Sequence, residues 1–151
     1  PRRFGKSLTL NMLQHYYDVR TRDKFDALFG DLYIGKHPTD DRNSYLVLYL
    51  NFSGINGELH NYRSGLDAHC GITFENFCKI YAEYLPQDTL EGLCAAKGAV
   101  EQLDFLYQVC ARAGQKIYLF IGFIAGIGIA RSAVQTIVEP LHPVQSSKLR
   151  D

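Results

Sequence analysis

Three consecutive residues near the start of the chain, Gly5, Lys6 and Ser7, have the chemistry needed to hold a phosphate group. They match the last three positions of the phosphate-binding pattern Gly-x-x-x-x-Gly-Lys-Ser/Thr. Gly5 has no Cβ and lets the backbone approach phosphate oxygens, Lys6 supplies a point charge, and the Ser7 hydroxyl can coordinate Mg²⁺. A helix that begins here adds free N–H groups and a dipole that favours an anion. Three residues alone fit equally well the start of a helix with a basic flank.

The same segment offers a competing interpretation as a nucleic-acid contact, because Arg2, Arg3 and Lys6 surround the ring of Phe4. The rest of the chain gives this little support. Its 16 Lys and Arg residues balance its 16 Asp and Glu residues, so no basic surface extends the contact. Nucleic acid is therefore a possible partner that the charge balance of the chain does not support.

The remaining chemically active side chains form no readable site. The five histidines are scattered, and the four cysteines lack the Cys-x-x-Cys spacing of a zinc site, so we interpret the cysteines as buried free thiols in a reducing cytoplasm. Asn51 and Ser53 follow a predicted strand, where ligands bind in open α/β sheets. Ser53 could contact a phosphate or a water there, although capping a turn is its more ordinary role. The cysteines are Cys70, Cys78, Cys94 and Cys110.

Two helices and a strand are predicted in the first third of the chain. Apolar residues at helical spacing predict an amphipathic helix over Lys6–Val19 with one buried face. A short helix is predicted over Asp23–Phe29, closed by Gly30 as its C′ residue, and a polar loop follows from Gly35. The uncharged run Tyr45–Leu50 predicts a strand buried on both faces. The face of the first helix comprises Leu8, Met12, Tyr16 and Val19.

The middle of the chain predicts two helices that lead to a second strand. Ile55–Gly71 is polar and is predicted as a loop, after which Thr73 caps a helix that Pro86 stops. A helix from Ala99 ends at Gly114, and the run Lys116–Ile121 predicts a second buried strand. A strand, helices and a strand with long connections are typical of parallel crossover units, hence an α/β fold.

The end of the chain carries a different signal. Residues 117–130 hold no charged side chain, but this stretch is shorter than the ~20 apolar residues of a membrane span. From Arg131 onward the sequence turns polar and contains two prolines. We therefore expect no membrane segment and a poorly ordered tail over 122–151.

Four short segments, in this order and spacing, resemble the predicted AAA-ATPase-like family of bacterial proteins over residues 1–121. Members of this family often carry a restriction-endonuclease-like domain after this one. The resemblance implies an ATP-binding P-loop domain in which Arg2, Arg3 and Phe4 belong to the loop body. It also implies that Gly5, Lys6 and Ser7 bind ATP and that Ser7 binds Mg²⁺. The four segments are Pro1–Ser7, Phe29–Gly35, Asn51–Gly54 and Lys116–Ile121.

The sequence departs from the family at the end of its second predicted strand. Ile117–Ile121 matches the Walker B strand, after which the family reads Asp-Glu-Tyr-Asp. This chain instead reads Gly-Phe-Ile-Ala over residues 122–125. The family's Asp holds Mg²⁺ and its Glu orients or deprotonates the attacking water, and neither Gly122 nor Phe123 can replace them.

Taken together, the sequence predicts an α/β domain over 1–121, an incomplete P-loop NTPase-like parallel sheet with flanking helices, in a cytoplasmic protein. It predicts a fragment that binds nucleotide at most, with ATP and Mg²⁺ held weakly, no assignable catalytic residue and hydrolysis lost. One alternative is an active ATPase coupled to a nucleic-acid or partner process, with acidic residues recruited from elsewhere. The other is a non-enzymatic interaction module that uses the basic turn and the tyrosine-rich helices.

Overall fold

The computed structural model describes residues 6–52 and 62–122. Residues 123–151, which include nearly all of the predicted tail, lie outside the described residues, as does Ser53. A short 3₁₀ helix, Val19–Lys24, follows the first helix. The other elements, in chain order, are α1 (Lys6–Tyr17), α2 (Phe25–Phe29), α3 (Tyr33–Lys36), β1 (Leu46–Asn51), α4 (Tyr62–Ile80), α5 (Thr89–Ala95), α6 (Gly98–Arg112) and β2 (Ile117–Gly122).

The two apolar runs form neighbouring parallel strands, as predicted. Leu46 lies opposite Ile117 at one end of the pair, and Asn51 lies opposite Gly122 at the other. The fold is therefore a mixture of helices and strands, with helices flanking a two-stranded parallel sheet. The prediction that β1 is buried on both faces was wrong in part. The face that carries Leu46, Leu48 and Leu50 is fully buried, whereas Val47 and Tyr49 on the other face are half-buried.

Helix α4 is longer at its start than the sequence indicated. It begins at Tyr62, so the predicted loop over Ile55–Gly71 is wrong for residues 62–71, and Thr73 is not a cap. The Thr73 hydroxyl donates to the His69 carbonyl 3.0 Å away, within the helix. Polar residues on the exposed face obscured the period of the buried ones, which are Leu66, Cys70, Phe74 and Phe77. The helix also ends at Ile80, short of the predicted Leu85.

Helix α6 confirms its prediction and packs beside α4. Leu103, Leu106 and Cys110 are buried, and Gly114 ends the segment with a φ of +70°, which a glycine adopts without strain. At the other end, the Asp67 carboxylate on α4 accepts a hydrogen bond of 2.9 Å from the Ala99 backbone N–H. Further along both helices, a Cβ added to Gly71 of α4 would lie 3.5 Å from the Gln102 side chain of α6. Because the contacts advance together along the two helices, α4 and α6 run side by side in the same direction. The intervening α5 was not predicted.

The segment around α1 corrects the sequence prediction. The helix ends at Tyr17, and of its predicted apolar face only Tyr16 is buried within it. Leu8 is 65% exposed and Met12 is 40% exposed. Helical spacing identifies an apolar face but not what covers it, and the described elements leave this part of the face open. Val19 is buried, but in the 3₁₀ helix.

The helix predicted over Asp23–Phe29 begins two residues later, at Phe25, because residues 19–24 adopt the 3₁₀ conformation. Gly30 follows it with a φ of −55°, so the predicted left-handed cap is wrong. The predicted polar loop over residues 35–43 overlaps the end of α3, a single helical turn. Phe25 and Phe29 nevertheless pack against Tyr16, with ring centroids 5.7 and 5.6 Å away, and form a small second core.

Asn43 joins the end of α1 to the start of the sheet. Its backbone has a φ of +46°, a conformation that asparagine tolerates better than most residues. Its buried side-chain amide donates to the Asp18 carbonyl at 2.7 Å and to the Thr21 hydroxyl at 3.0 Å. These bonds hold the 3₁₀ helix against the residue that leads into β1.

We expect Asn43→Asp to destabilise the fold by about 3 kcal/mol, because a carboxylate cannot donate and would face oxygen atoms in a buried position. Chemical denaturation of the two proteins measures the difference. Asn11→Asp, the same change at an exposed position of α1, is the matched control and should be nearly neutral. Equal stability of the two variants would show that the Asn43 amide does not hold this junction together.

Candidate functional site

The predicted phosphate-binding residues lie where α1 begins. The helix starts at Lys6, and Arg3, Phe4 and Gly5 precede it, outside the described residues. Ser7 is exposed in the first turn, which contains no acidic residue. The first turn of a helix has free N–H groups and the positive end of the helix dipole. An anion at this helix end would therefore meet no carboxylate from the first turn.

The other end of α1 is tied to the sheet. The Val19 N–H donates to the Tyr45 carbonyl, and the Tyr45 N–H donates to the Tyr17 carbonyl, both at 3.0 Å. The Tyr17 ring also stacks on Tyr118 of β2, with centroids 4.4 Å apart. The helix that begins at the predicted phosphate-binding residues is thus fixed at its far end to both strands.

The carboxyl ends of the two strands lie at one edge of the sheet, with Asn51 of β1 opposite Gly122 of β2. The ring of Tyr49 lies over the glycine. A Cβ added to Gly122 would be 3.0 Å from Cζ and 3.1 Å from Cε2 of Tyr49, and nearer still to its hydroxyl oxygen. The place where a side chain at position 122 would begin is therefore filled by Tyr49, a contact that sequence reasoning missed.

The residues at this edge do not fit a magnesium site. Mg²⁺ prefers carboxylate and phosphate oxygens in octahedral geometry. In the described ranges, no three His, Cys, Asp or Glu residues lie together in a way that could hold a metal ion. Asp88 precedes α5 and Asp104 lies on the exposed face of α6, so neither stands at the strand ends. Within residues 6–52 and 62–122, no cluster of acidic side chains therefore supports the prediction that Ser7 is a metal ligand.

Apart from the edge of the sheet, a concave surface with a volume of about 320 Å³ lies between the end of α1, β1 and α4. The Tyr81 hydroxyl, one of its polar groups, accepts a hydrogen bond of 3.0 Å from the Val47 N–H. Burial raises the pKa of Tyr81, so the phenol stays neutral. Asp18 and Arg20 also line the cleft. Asp18 Oδ2 lies 3.8 Å from Arg20 Nε, so the two charges offset each other. No motif in the sequence indicates this cleft, because its lining comes from four separate elements: α1, the 3₁₀ helix, β1 and α4.

Three of the four cysteines are buried, whereas Cys94 is exposed, so the prediction of buried thiols is wrong at that position. Burial raises the pKa of Cys70 to about 12 and the pKa of Cys78 and of Cys110 to about 11. The thiolate is the nucleophilic form, so these three thiols are unreactive at neutral pH.

We expect iodoacetamide at pH 8 to alkylate one cysteine per native chain and all four after denaturation. Mass spectrometry gives the count, and Cys94→Ser should reduce the native count to zero. Because burial raises the pKa of the other three thiols, labelling of Cys78 and Cys110 should begin only as the pH approaches 11, and labelling of Cys70 at a higher pH still. Labelling of Cys70 in the native protein at pH 8 would contradict the packing of α4 against β1 and α6.

Comparison with known protein families finds a match that includes every element from α1 to β2. A family model described as "Predicted AAA-ATPase" matches residues 1–122 of the 151-residue chain. The chain belongs to the predicted AAA-ATPase family. No curated protein and no solved structure matches it. Among the described residues of this AAA-ATPase-family chain, no helix is long and apolar enough to cross a membrane.

Family membership confirms the resemblance seen in the sequence, and it covers every helix and strand described above. The match ends at Gly122, which is also the last residue of β2. Membership hints at the use of a nucleotide. It leaves the individual binding residues as predictions.

Proposed function

We propose that this AAA-ATPase-family chain binds ATP weakly through Arg3, Phe4, Gly5, Lys6 and Ser7 and does not hydrolyse it. The observation that carries the proposal is that α1 begins at Lys6, directly after Gly5, with no acidic residue in its first turn. Backbone N–H groups, the helix dipole and the Lys6 charge would together favour the phosphate chain of a nucleotide.

The proposal includes a P-loop NTPase-like fold over residues 1–121, with 122–151 as a separate, divergent segment. The lengths of the elements support it. Helix α1 has 12 residues, or roughly 18 Å, and β1 has 6 residues, or roughly 20 Å. The end of α1 lies beside Tyr45, at the start of β1. Because the helix and the strand have similar lengths, a helix that runs antiparallel to β1 would begin beside the carboxyl end of the strand. Ligands of open α/β folds bind at that edge.

The lack of hydrolysis follows from the residue that ends β2. Phosphoryl transfer depends on a magnesium ion and on a group that orients the attacking nucleophile. Gly122 provides neither a ligand nor a base, and the side chain that lies over it, Tyr49, carries a phenol and no carboxylate. We therefore propose that the ATPase activity implied by the family is absent from this chain.

An interaction module is the second candidate function, and one observation favours it. Leu8, Met12 and Leu13 on α1 are all at least 36% exposed, which leaves an apolar surface on the first helix. An apolar surface of this kind commonly marks contact with another protein. Such a module would have no need of a nucleotide, so a binding measurement separates the two candidates.

The test is titration of the chain with ATP, with inorganic triphosphate and with adenosine. Recognition through a helix start and a lysine predicts that ATP and triphosphate bind with dissociation constants on the order of 1 mM, and that adenosine does not bind. Binding of adenosine with the affinity of ATP would place recognition on the base instead. No binding of ATP or triphosphate would favour the interaction module.

A further inference from the structure

The contact between Tyr49 and Gly122 lies at the edge of the sheet where the proposed function places the nucleotide, and its role there rests on that proposed function. Tyr49 lies on β1, two residues before Asn51, which is the register partner of Gly122. Its side chain leans toward the carboxyl end of the neighbouring strand, so that its ring and hydroxyl cover the glycine. The cover is tight, because distances of 3.0 and 3.1 Å from a built Cβ to Cζ and Cε2 are closer than ordinary van der Waals contact.

We propose that Tyr49 is a specificity-determining residue that holds the site in a form without a divalent cation. Its ring fills the volume that a side chain at position 122 would need, and its hydroxyl is the polar group presented there. A phenol is a neutral hydrogen-bonding group near pH 7, whereas a magnesium ligand at this place would need to be a carboxylate. Tyr49 and Gly122 are therefore a matched pair, and a carboxylate at 122 requires the ring at 49 to be displaced.

The first test is a thermal double-mutant cycle that does not depend on nucleotide. Gly122→Asp should lower Tm by about 5 °C, because the new Cβ must displace the Tyr49 ring. In a Tyr49→Thr background, which removes the ring but keeps a residue suited to a strand, Gly122→Asp should shift Tm by much less. Tyr45→Thr is the matched control. It removes another tyrosine from the same face of the sheet and should leave the cost of Gly122→Asp unchanged.

The second test reads the metal directly, by titrating ATP with EDTA present and with excess Mg²⁺. The wild-type chain should bind ATP equally in both conditions, within about twofold. The Tyr49→Thr/Gly122→Asp variant should bind about tenfold more tightly with Mg²⁺, since it has a carboxylate ligand and room for it. If the Tyr49 ring only filled space, replacing it would change Tm but would not change how ATP affinity responds to Mg²⁺.

The two tests separate the failure of this inference from the failure of the proposed function. If no variant binds ATP, the proposed function is wrong, and the pairing is judged by the Tm cycle alone. If Gly122→Asp has the same Tm as the wild type, or if it alone gains the full Mg²⁺ response with Tyr49 in place, the matched pair is overturned. An additive cycle, with Gly122→Asp equally costly in both backgrounds, would overturn it too.

Discussion

Replacing Lys6 with alanine is expected to weaken ATP binding about 10- to 100-fold while leaving the fold intact. A hydrogen bond to a charged group contributes about 1.5–3 kcal/mol, and each 1.4 kcal/mol is a factor of about ten in affinity. The N–H groups at the start of α1 would remain, so a residual affinity for phosphate is expected. Titration of ATP into the two proteins measures the loss, and circular dichroism checks the fold.

The matched control for this prediction is Lys24→Ala. Lys24 is an exposed lysine at the end of the 3₁₀ helix, so its removal changes the net charge by the same amount. It should change ATP affinity by less than about twofold, because exposed charges more than about 10 Å apart are largely screened in ~0.1 M salt. If Lys6→Ala binds ATP as tightly as Lys24→Ala, the phosphate-binding assignment is wrong.

The wild-type chain is expected to release no phosphate from ATP above the rate of a buffer blank. Loss of a water-orienting carboxylate commonly costs ~10²–10⁴-fold in rate, and loss of the metal ligand at Gly122 adds to that cost. A colorimetric phosphate assay at saturating ATP and Mg²⁺ measures the rate. Lys6→Ala serves as the control for a contaminating ATPase, since contamination would not respond to it.

Turnover that Lys6→Ala abolishes would contradict the account of the strand end, because it would show that an acidic residue elsewhere holds the metal. Asp88 and Asp104 would then be the first residues to replace with asparagine. Both are exposed, and neither stands at the carboxyl edge where β1 and β2 end. A loss of turnover on replacing either one would identify the recruited acid and would favour the active ATPase that the sequence left open.

The strands and the crossover were predictable because their signals are local. Six-residue runs without charge indicate parallel strands, and the register of β1 on β2 confirms the pairing. The predicted burial of the second strand is wrong in part, since Phe120 alone is buried within β2. Helix α6 was also predictable, since its buried residues repeat at a period of three to four and Gly114 gives a clear stop. These features depend on residues that are close together in the chain.

The errors occurred where contacts between distant residues decide the outcome. Helix α4 begins at Tyr62 because Leu66 and Cys70 bury against the core, although Asp67 and His69 between them are polar. The apolar spacing of α1 suggested a buried face, but no local signal reports whether another element covers Leu8. Tyr49 was missed for the same reason, since its place over Gly122 follows from the strand register and not from any motif.

The central claim, that ATP is held at the start of α1, is tested most directly by following the backbone amides of the labelled protein by NMR during a titration with ATP. We predict that the largest and saturable shifts belong to Gly5, Lys6 and Ser7, and that triphosphate shifts the same amides. Amides that line the cleft between α1, β1 and α4, such as His15 and Tyr81, should not move. Saturable shifts in that cleft, with the amides of residues 5–7 unchanged, would contradict the account.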